Sequence, residues 1–164
     1  MRTQQRHARI PRYRRILWPT DLSPLAKAAL PHVLALASHP GAELITLHVL
    51  ATPATYGYPG IVWLPWDQVE KANREAAGRA LDRLEKTIKR DRPSLRLRRV
   101  VTMGVAFEQI VKAARRFKCD LVVLATHGRT GLKHVLLGSV AENVVRRAPC
   151  PVLAVRPRGF GARG

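Results

Sequence analysis

The chain has 164 residues, of which 46% are hydrophobic and 24% are charged, and this is the length and composition of one globular domain. No apolar run approaches the roughly 20 residues of a transmembrane helix, and the arginine-rich N-terminus lacks the apolar segment of a secretory signal. Two cysteines cannot build the dense disulfide framework of a small secreted domain. These features predict a cytoplasmic protein with no membrane partner.

The net charge of +18 is concentrated in particular segments of the chain. Residues 1–14 form a basic arm without an acidic residue, residues 157–164 form a short basic tail, and the block from Lys86 to Arg99 is opposed only by Asp91. Such a charge favours binding to polyanions, namely nucleic acid, anionic lipid or free nucleotide. A solvated basic surface accounts for the same charge, so composition leaves both interpretations open.

The first part of the chain alternates a strand pattern with a helix pattern. A short apolar run ends at Pro19-Thr20-Asp21, which is typical of a strand that meets a turn. Ser23 then provides an N-cap and Pro24 suits the first helical position, while Pro31 is expected to bend the helix that follows. The predicted elements here are a strand at 16–18, a helix at 25–37 and a strand at 44–50.

The remaining part repeats this alternation after a loop at 51–65, whose tyrosines and tryptophan are expected to cover a ligand or pack a subunit interface. Alternating strands and helices predict crossover connections and one parallel sheet with helices on its faces, in a single domain over residues 15–156. The predicted elements here are helices at 69–88, 106–118 and 140–148, and strands at 95–101, 121–125 and 151–155.

Polar and glycine residues follow the ends of several predicted strands, where open α/β sheets bind their ligands. The turn from Thr126 to Gly131 leads to Gly138-Ser139 at the start of a helix, so glycine amides, a hydroxyl and a helix N-terminus are available to an anion. Arg129 and Lys133 lie nearby in sequence and can pair with phosphate. The same residues also fit a capping box formed by Ser139 and Glu142, and spacing alone does not decide between the two.

Several segments together resemble the universal stress protein family, in order from about Arg15 to Arg156. The resemblance implies a doubly wound fold with five parallel strands in the order 3-2-1-4-5, and a homodimer formed by pairing the last strands. The segments that carry it are Trp18-Pro19-Thr20-Asp21-Leu22-Ser23, Leu47-His48-Val49, Ala125-Thr126-His127-Gly128-Arg129-Thr130-Gly131, Leu136-Leu137-Gly138-Ser139-Val140-Ala141-Glu142 and Pro149-Cys150-Pro151-Val152-Leu153.

One branch of that family binds ATP through glycine, two residues, glycine, nine residues, glycine and then serine or threonine. Gly128, Gly138 and Ser139 match this signature, whereas Ala125 replaces its first glycine. A methyl group there is expected to crowd the phosphates or force φ negative. The resemblance implies a site for ATP or another adenine nucleotide, with or without Mg²⁺, at Pro19, Thr20, Asp21, Val49, Ala125, His127, Gly128, Arg129, Thr130, Gly131, Gly138, Ser139, Val140 and Ala141.

Within this set, the resemblance places Pro19, Thr20 and Asp21 beside the adenosine and Val49 against the adenine. It places residues 127–130 and 139–141 around the ribose and phosphates. Asp21 fits as a hydrogen-bond acceptor for adenosine or as a group that orients a metal-bound water, and it fits equally as a cap for the next helix.

No catalytic residue and no metal-ligand cluster is predicted. Ser139 lacks the partners of a catalytic triad, and His48 within an apolar strand is typical of a hydrogen-bonded core histidine. Cys119 and Cys150 each precede a strand-like run, so they are interpreted as small buried residues, with a redox pair as the alternative if the two strands are neighbours.

Three functions follow from these observations. The first is a stress-response regulator that binds an adenine nucleotide and hydrolyses it slowly at most. The second is a nucleotide-free interaction protein of the same fold, in which Ala125 marks the loss of the site. The third is a nucleic-acid-associated module that uses the basic arm.

Overall fold

The computed structural model describes residues 12–51, 66–127 and 137–157, and these residues contain five strands and five helices. The strands are β1 Arg15–Pro19, β2 Glu43–Leu50, β3 Arg96–Met103, β4 Leu121–Ala125 and β5 Val152–Val155. The helices are α1 Pro24–Lys27, α2 Leu30–Leu36, α3 Trp66–Asp91, α4 Ala106–Arg116 and α5 Ser139–Arg147.

The strands form one parallel sheet in the order β3-β2-β1-β4-β5, which confirms the predicted fold. Leu17 of β1 pairs with Ile45 of β2 on one side and with Val122 of β4 on the other. The strand order therefore reverses at β1, and the chain leaves the carboxyl ends of β1 and β4 in opposite directions. A crevice at this edge of the sheet follows from the connectivity.

Side chains alternate between two buried layers because successive strand residues point to opposite faces of the sheet. Ile16 and Trp18 pack in the layer that includes Val33 of α2 and Leu81 of α3. The other layer lies beneath α4 and α5, and its members include Leu17, Ile45, Leu47, Val122, Leu124, Ile110 and Val144. Both faces are covered, which explains why β2 and β4 read as nearly continuous apolar runs.

The helix predicted over 25–37 is interrupted, and the structure has α1 and α2 in its place. Pro31 explains the break because it has no N–H group and its ring clashes with the carbonyl four residues earlier, which belongs to Lys27. Lys27 is the last residue of α1, and Pro31 lies in the first turn of α2. The other predicted elements differ from the observed ones by a few residues at their ends, and residues 52–65 of the predicted aromatic loop lie outside the described residues.

The two cysteines lie at the starts of β4 and β5, which are neighbours, and both are free thiols. Cys119 is buried in the layer beneath α4 and α5, and the half-buried Cys150 packs against that layer. Burial, and then the nearby Cys150, raise the pKa of Cys119 to about 12, while burial raises the pKa of Cys150. Because thiolates are the reactive form, these shifts favour the interpretation as small buried residues.

Asp120 holds the beginning of β1 in place from 106 positions away along the chain. Its Oδ2 accepts the backbone N–H of Arg14 at 2.7 Å, and its Oδ1 accepts that of Arg15 at 3.0 Å. Its own N–H donates to the Arg15 carbonyl at 3.0 Å, and the Glu43 N–H donates to the Arg14 carbonyl at 2.8 Å. The amino end of β1 is thus fixed between β2 and β4.

We expect Asp120→Ala to lower the free energy of unfolding by about 1.5–3 kcal/mol, because it removes two hydrogen bonds to a carboxylate. Asp82→Ala is the matched control, because it removes a carboxylate whose exposed partner is Arg99, and its effect should stay within about 0.5 kcal/mol. Urea denaturation of the three proteins measures both differences. Equal losses in the two variants would contradict the role given to Asp120.

Candidate functional site

A cavity of about 260 Å³ lies at the carboxyl edge of β1, β2 and β4, beside the N-terminal ends of α4 and α5. This is the reversal of strand order described above, where open α/β sheets bind their ligands. Of the predicted site residues, the structure brings together around this cavity Pro19, Thr20, Asp21, Val49, Ala125, His127, Gly138, Ser139, Val140 and Ala141. The predicted contacts Gly128, Arg129, Thr130 and Gly131 lie outside the described residues.

Sequence reasoning missed several residues that line the same cavity. Leu47 and Leu124 lie two residues before Val49 and one before Ala125, and alternation along a strand places Leu47 on the same face as Val49. Ile110 comes from α4, and its contribution depends on which face of the sheet that helix covers. The complete set of missed lining residues is Ala26, Leu47, Ala106, Ile110, Leu124 and Thr126.

The turn after β1 forms one wall of the cavity. Thr20 Oγ1 accepts the Leu22 N–H at 3.1 Å, and Asp21 Oδ1 accepts the Ser23 N–H at 2.9 Å. Between them Leu22 adopts the left-handed region at φ 66°, which is uncommon for a residue with a branched side chain. Ser23 is the N-cap of α1, since its Oγ accepts the Ala26 N–H at 3.1 Å. The cap is therefore Ser23, and the Asp21 carboxylate shapes the turn at the cavity wall.

Two buried histidines are hydrogen-bonded at this edge of the sheet. His48 Nδ1 donates to the Thr20 carbonyl at 2.8 Å, which agrees with its interpretation as a satisfied core histidine. His127 lines the cavity, and its Nδ1 lies 2.9 Å from Thr126 Oγ1. The His48 hydrogen bond joins β2 to the end of β1, whereas the His127 ring is held by the adjacent Thr126 after β4.

Ala125, which replaces the first glycine of the ATP-binding signature, is the last residue of β4 and pairs with Val155 of β5. Its backbone is that of an ordinary strand, and the described non-glycine residues with positive φ are Leu22 and Lys118. The conformational reason for a glycine is therefore absent at this position. What remains of the predicted obstruction is the volume of one methyl group on the cavity wall.

The first turn of α5 presents to the cavity backbone donors that have no partner within the helix. Gly138 is the N-cap and has no side-chain cap bond, so the capping box with Ser139 at this position is not formed. Ser139 is instead the first residue of the helix, and the first helical bond runs from Glu142 N–H to the Gly138 carbonyl at 2.9 Å. The N–H groups of residues 139–141 therefore have no partner within α5, and they carry the partial positive charge of a helix N-terminus.

Gly138 also allows α5 to approach β4 closely. Its N–H donates to the Thr126 carbonyl at 2.9 Å, and a Cβ placed on it would lie 3.0 Å from the same carbonyl oxygen. This contact is too short for a side-chain carbon without a shift of the backbone. The φ of Gly138, −65°, is available to any residue, so its backbone conformation does not require a glycine. The close approach to Thr126 is what favours one.

Over the three described ranges, no group of three His, Cys, Asp or Glu side chains is arranged to hold a metal ion. In the same part of the chain, no helix has the length and apolar character needed to cross a bilayer.

The fold and the cavity together define a doubly wound α/β protein with a cavity at the reversal of strand order, where such folds bind their ligands. Residues 12–156 match the sequence profile of the universal stress protein family. Universal stress protein MJ0531 of Methanocaldococcus jannaschii is 33% identical over 144 residues, covering 88% of this chain and 82% of that protein. The chain belongs to the universal stress protein family, which confirms the resemblance seen in its sequence.

Solved structures agree with this assignment. The structure of protein MJ0577 has a TM-score of 0.74 and 30% sequence identity, and the match covers 91% of this chain and 99% of that one. Two more distant structures share the fold: a universal stress protein in complex with cAMP, with a TM-score of 0.56 at 24% identity over 89% of this chain and 98% of that one, and an Arabidopsis thaliana family member with AMP bound, with a TM-score of 0.63 at 16% identity over 89% and 93%.

We expect Gly138→Ala to lower the free energy of unfolding by about 1–3 kcal/mol, because the added Cβ forces α5 away from the Thr126 carbonyl. Gly78→Ala is the matched control: Gly78 lies in α3 with open space around its Cβ position, so that variant should gain about 0.5–1 kcal/mol. Urea denaturation distinguishes the two signs. A gain in both variants would show that α5 does not need the close approach.

Proposed function

We propose that this protein binds ATP or a related adenine nucleotide in the cavity at the carboxyl edge of the sheet and acts as a stress-response regulator. The observation that carries the proposal is the meeting of an apolar surface with a helix N-terminus in one cavity. An adenine ring requires a flat apolar contact, whereas phosphates require N–H donors and positive charge. The cavity offers both within the reach of one small molecule.

The apolar part of the cavity suits the base. Leu47 and Val49 of β2 and Ile110 of α4 line it without a charged group. Thr20 and Asp21 at the end of β1 add the hydrogen-bonding groups that a ribose or the edge of an adenine would use. This arrangement is in keeping with the adenosine contacts that the sequence resemblance implies for residues 19–21 and Val49.

The phosphate end of the ligand would meet the first turn of α5. Three backbone N–H groups without intrahelical partners and the Ser139 hydroxyl are the donors available there. Gly128, Arg129, Thr130 and Gly131 remain proposed contacts on the strength of the sequence signature. The two distant family structures that hold cAMP and AMP support an adenine nucleotide as the ligand class.

Hydrolysis of the bound nucleotide is proposed to be slow at most. Asp21 is the carboxylate among the described lining residues, and Mg²⁺ in nucleotide sites is held by one or two carboxylates together with the phosphates. Asp21 and the phosphates therefore fit such an ion. Efficient phosphoryl transfer also needs a base positioned to accept a proton from the attacking water. His127 lines the cavity, but its Nδ1 is already engaged, since it lies within hydrogen-bond distance of Thr126 Oγ1.

Calorimetric titration with Mg-ATP and with AMP tests the proposal, after denaturing extraction has shown whether the purified protein carries a nucleotide. We expect a Kd in the micromolar range, a turnover well below about one per second, and about three- to tenfold weaker binding in Ser139→Ala through loss of one hydroxyl. Ser94→Ala, which removes an exposed hydroxyl in the turn before β3, is the matched control and should bind as the wild type does.

Ala125→Gly separates the nucleotide-binding hypothesis from the nucleotide-free one. If the methyl group merely crowds the phosphates, the glycine variant binds more tightly than the wild type. No extracted nucleotide and no heat from either protein would overturn the proposed function and leave the nucleotide-free interaction protein as its replacement.

We also propose that the protein is a homodimer paired through β5. The sheet has two edge strands, and β3 carries Arg96, Arg98 and Arg99, which discourage pairing with another strand. β5 has the sequence Val-Leu-Ala-Val without a charge, and Leu153 on it is 36% exposed. An uncharged edge with an exposed leucine suits antiparallel pairing with the same strand of a second copy.

We expect Leu153→Asp to convert the dimer to a monomer, because it places two carboxylates opposite one another across the two-fold axis. Val105→Asp is the matched control: Val105 is 38% exposed but lies at the N-cap of α4, away from β5. Sedimentation velocity measures the mass of each. A wild-type monomer, or a dimer in both variants, would refute pairing through β5.

A further inference from the structure

A second cleft, of about 560 Å³, lies at the opposite edge of the sheet, where β1 and β3 begin. Its lining includes Arg14, Arg15, Arg96, Lys118 and Asp120, together with the turn at Gly41. The cleft is thus built from the start of two strands and from the residues between α4 and β4. It shares no lining residue with the proposed nucleotide cavity.

The cleft has a large excess of positive charge. Four cations face a single carboxylate, Asp120, whose two oxygens already accept the N–H groups of Arg14 and Arg15. Two neighbouring arginines on β3, in contrast, have carboxylate partners: Arg98 pairs with Glu43 at 2.7 Å, and Arg99 pairs with Asp82. Within the described ranges, the ion pairs include none of the four cations of the cleft. Their charge is left for a ligand.

The fold holds the backbone of Arg14 and Arg15 and the side chains of Arg15 and Arg96 in position. The backbone at the start of β1 is bound on both sides, as described above, so Arg14 and Arg15 have fixed Cα positions. Arg96 Nη2 donates to the Gly41 carbonyl at 3.1 Å, and Arg15 Nη1 donates to the Phe117 carbonyl at 3.3 Å. Each guanidinium keeps further N–H donors, and ordering them in advance lowers the entropic cost of binding an anion.

Helix electrostatics accounts for two of the four cations in this cluster. Lys118 follows the C-terminal end of α4, where a cation is favourable beside the helix carbonyls. Arg15 likewise donates to the carbonyl of Phe117, the C-cap residue of α4. Arg14 and Arg96, however, lie at strand starts, where the backbone has little net dipole. Like charges gathered in one cleft repel one another, so a charge-neutralising ligand is the simplest reason for the arrangement.

We propose that this cleft binds the phosphodiester backbone of a single-stranded nucleic acid. Arginine and lysine are the usual phosphate ligands, and a cleft of this volume is larger than one phosphate requires. Arg12, two residues before Arg14, is also exposed, so a polyanion that extends beyond the cleft would meet a further cation, whereas an isolated phosphate would not. The proposal goes beyond the nucleotide function and does not depend on it.

Fluorescence anisotropy with a labelled 20-nucleotide single strand of mixed sequence tests the proposal over a range of KCl concentrations. The test variant is Arg14→Gln/Arg96→Gln/Lys118→Gln. We expect roughly ten- to hundredfold weaker binding at 0.1 M KCl and a decrease of about 2 in the slope of log affinity against log salt, because three phosphate contacts are lost.

The matched control is Lys71→Gln/Arg83→Gln/Lys112→Gln, which removes three exposed cations on α3 and α4 and therefore has the same net charge as the test variant. It should keep the wild-type slope. Circular dichroism and thermal unfolding show whether both variants fold, and Arg14→Glu, which changes one exposed side chain, replaces the test variant if that one does not fold.

Three outcomes would overturn the proposal. They are an equal loss of affinity for the strand in the test and control variants, no binding of the strand by the wild type at 0.1 M KCl, or binding of inorganic tripolyphosphate but not of the strand. Excess AMP should leave binding of the strand unchanged, because the two sites lie at opposite edges of the sheet. Loss of nucleotide binding with retention of strand binding would therefore refute the proposed function and leave this inference intact, and the reverse result would refute this inference alone.

Discussion

The hydrogen bonds that β1 makes on both of its sides are the constraint on which the rest of the structure depends. β1 is the strand that joins the first half of the sheet to the second, and residues 16–19 are buried between β2 and β4. Its carboxyl end opens the crevice of the proposed nucleotide site, and its amino end holds Arg14 and Arg15 at the cationic cleft. Displacing β1 would therefore disturb both sites at once.

Thr20 shows how the buried core positions the cavity wall. Its side chain and backbone are only 5% exposed, so each polar group on it needs a partner. Its N–H donates to the Leu47 carbonyl at 2.9 Å, its carbonyl accepts His48 Nδ1, and its Oγ1 accepts the Leu22 N–H. These bonds tie the turn to β2, which means that Asp21 is presented to the cavity by a satisfied polar network.

The sequence was sufficient for the strand order only through the family resemblance, whereas local pattern was sufficient for the elements themselves. Apolar runs predicted all five strands, and Pro31 predicted a bend in the first helix but not its division into α1 and α2. Alternation could have added Leu47 to the site, since Val49 was already in it. Ile110 and the cluster of Arg14, Arg96 and Lys118 depend on how distant elements meet, which no short-range pattern encodes.

The two edges of the sheet differ in electrostatics because the helices run antiparallel to the strands. Helix N-termini lie at the carboxyl edge, where backbone N–H groups can bind an anion with few charged side chains, and helix C-termini lie at the amino edge, where carbonyls repel one. The last turns of α3, α4 and α5 each carry two basic residues, which accounts for part of the net charge. An anion site at the amino edge must overcome the helix carbonyls with side chains of its own. The arginines of β1 and β3 meet that requirement, so the two proposed sites rest on different sources of positive potential and can be changed independently.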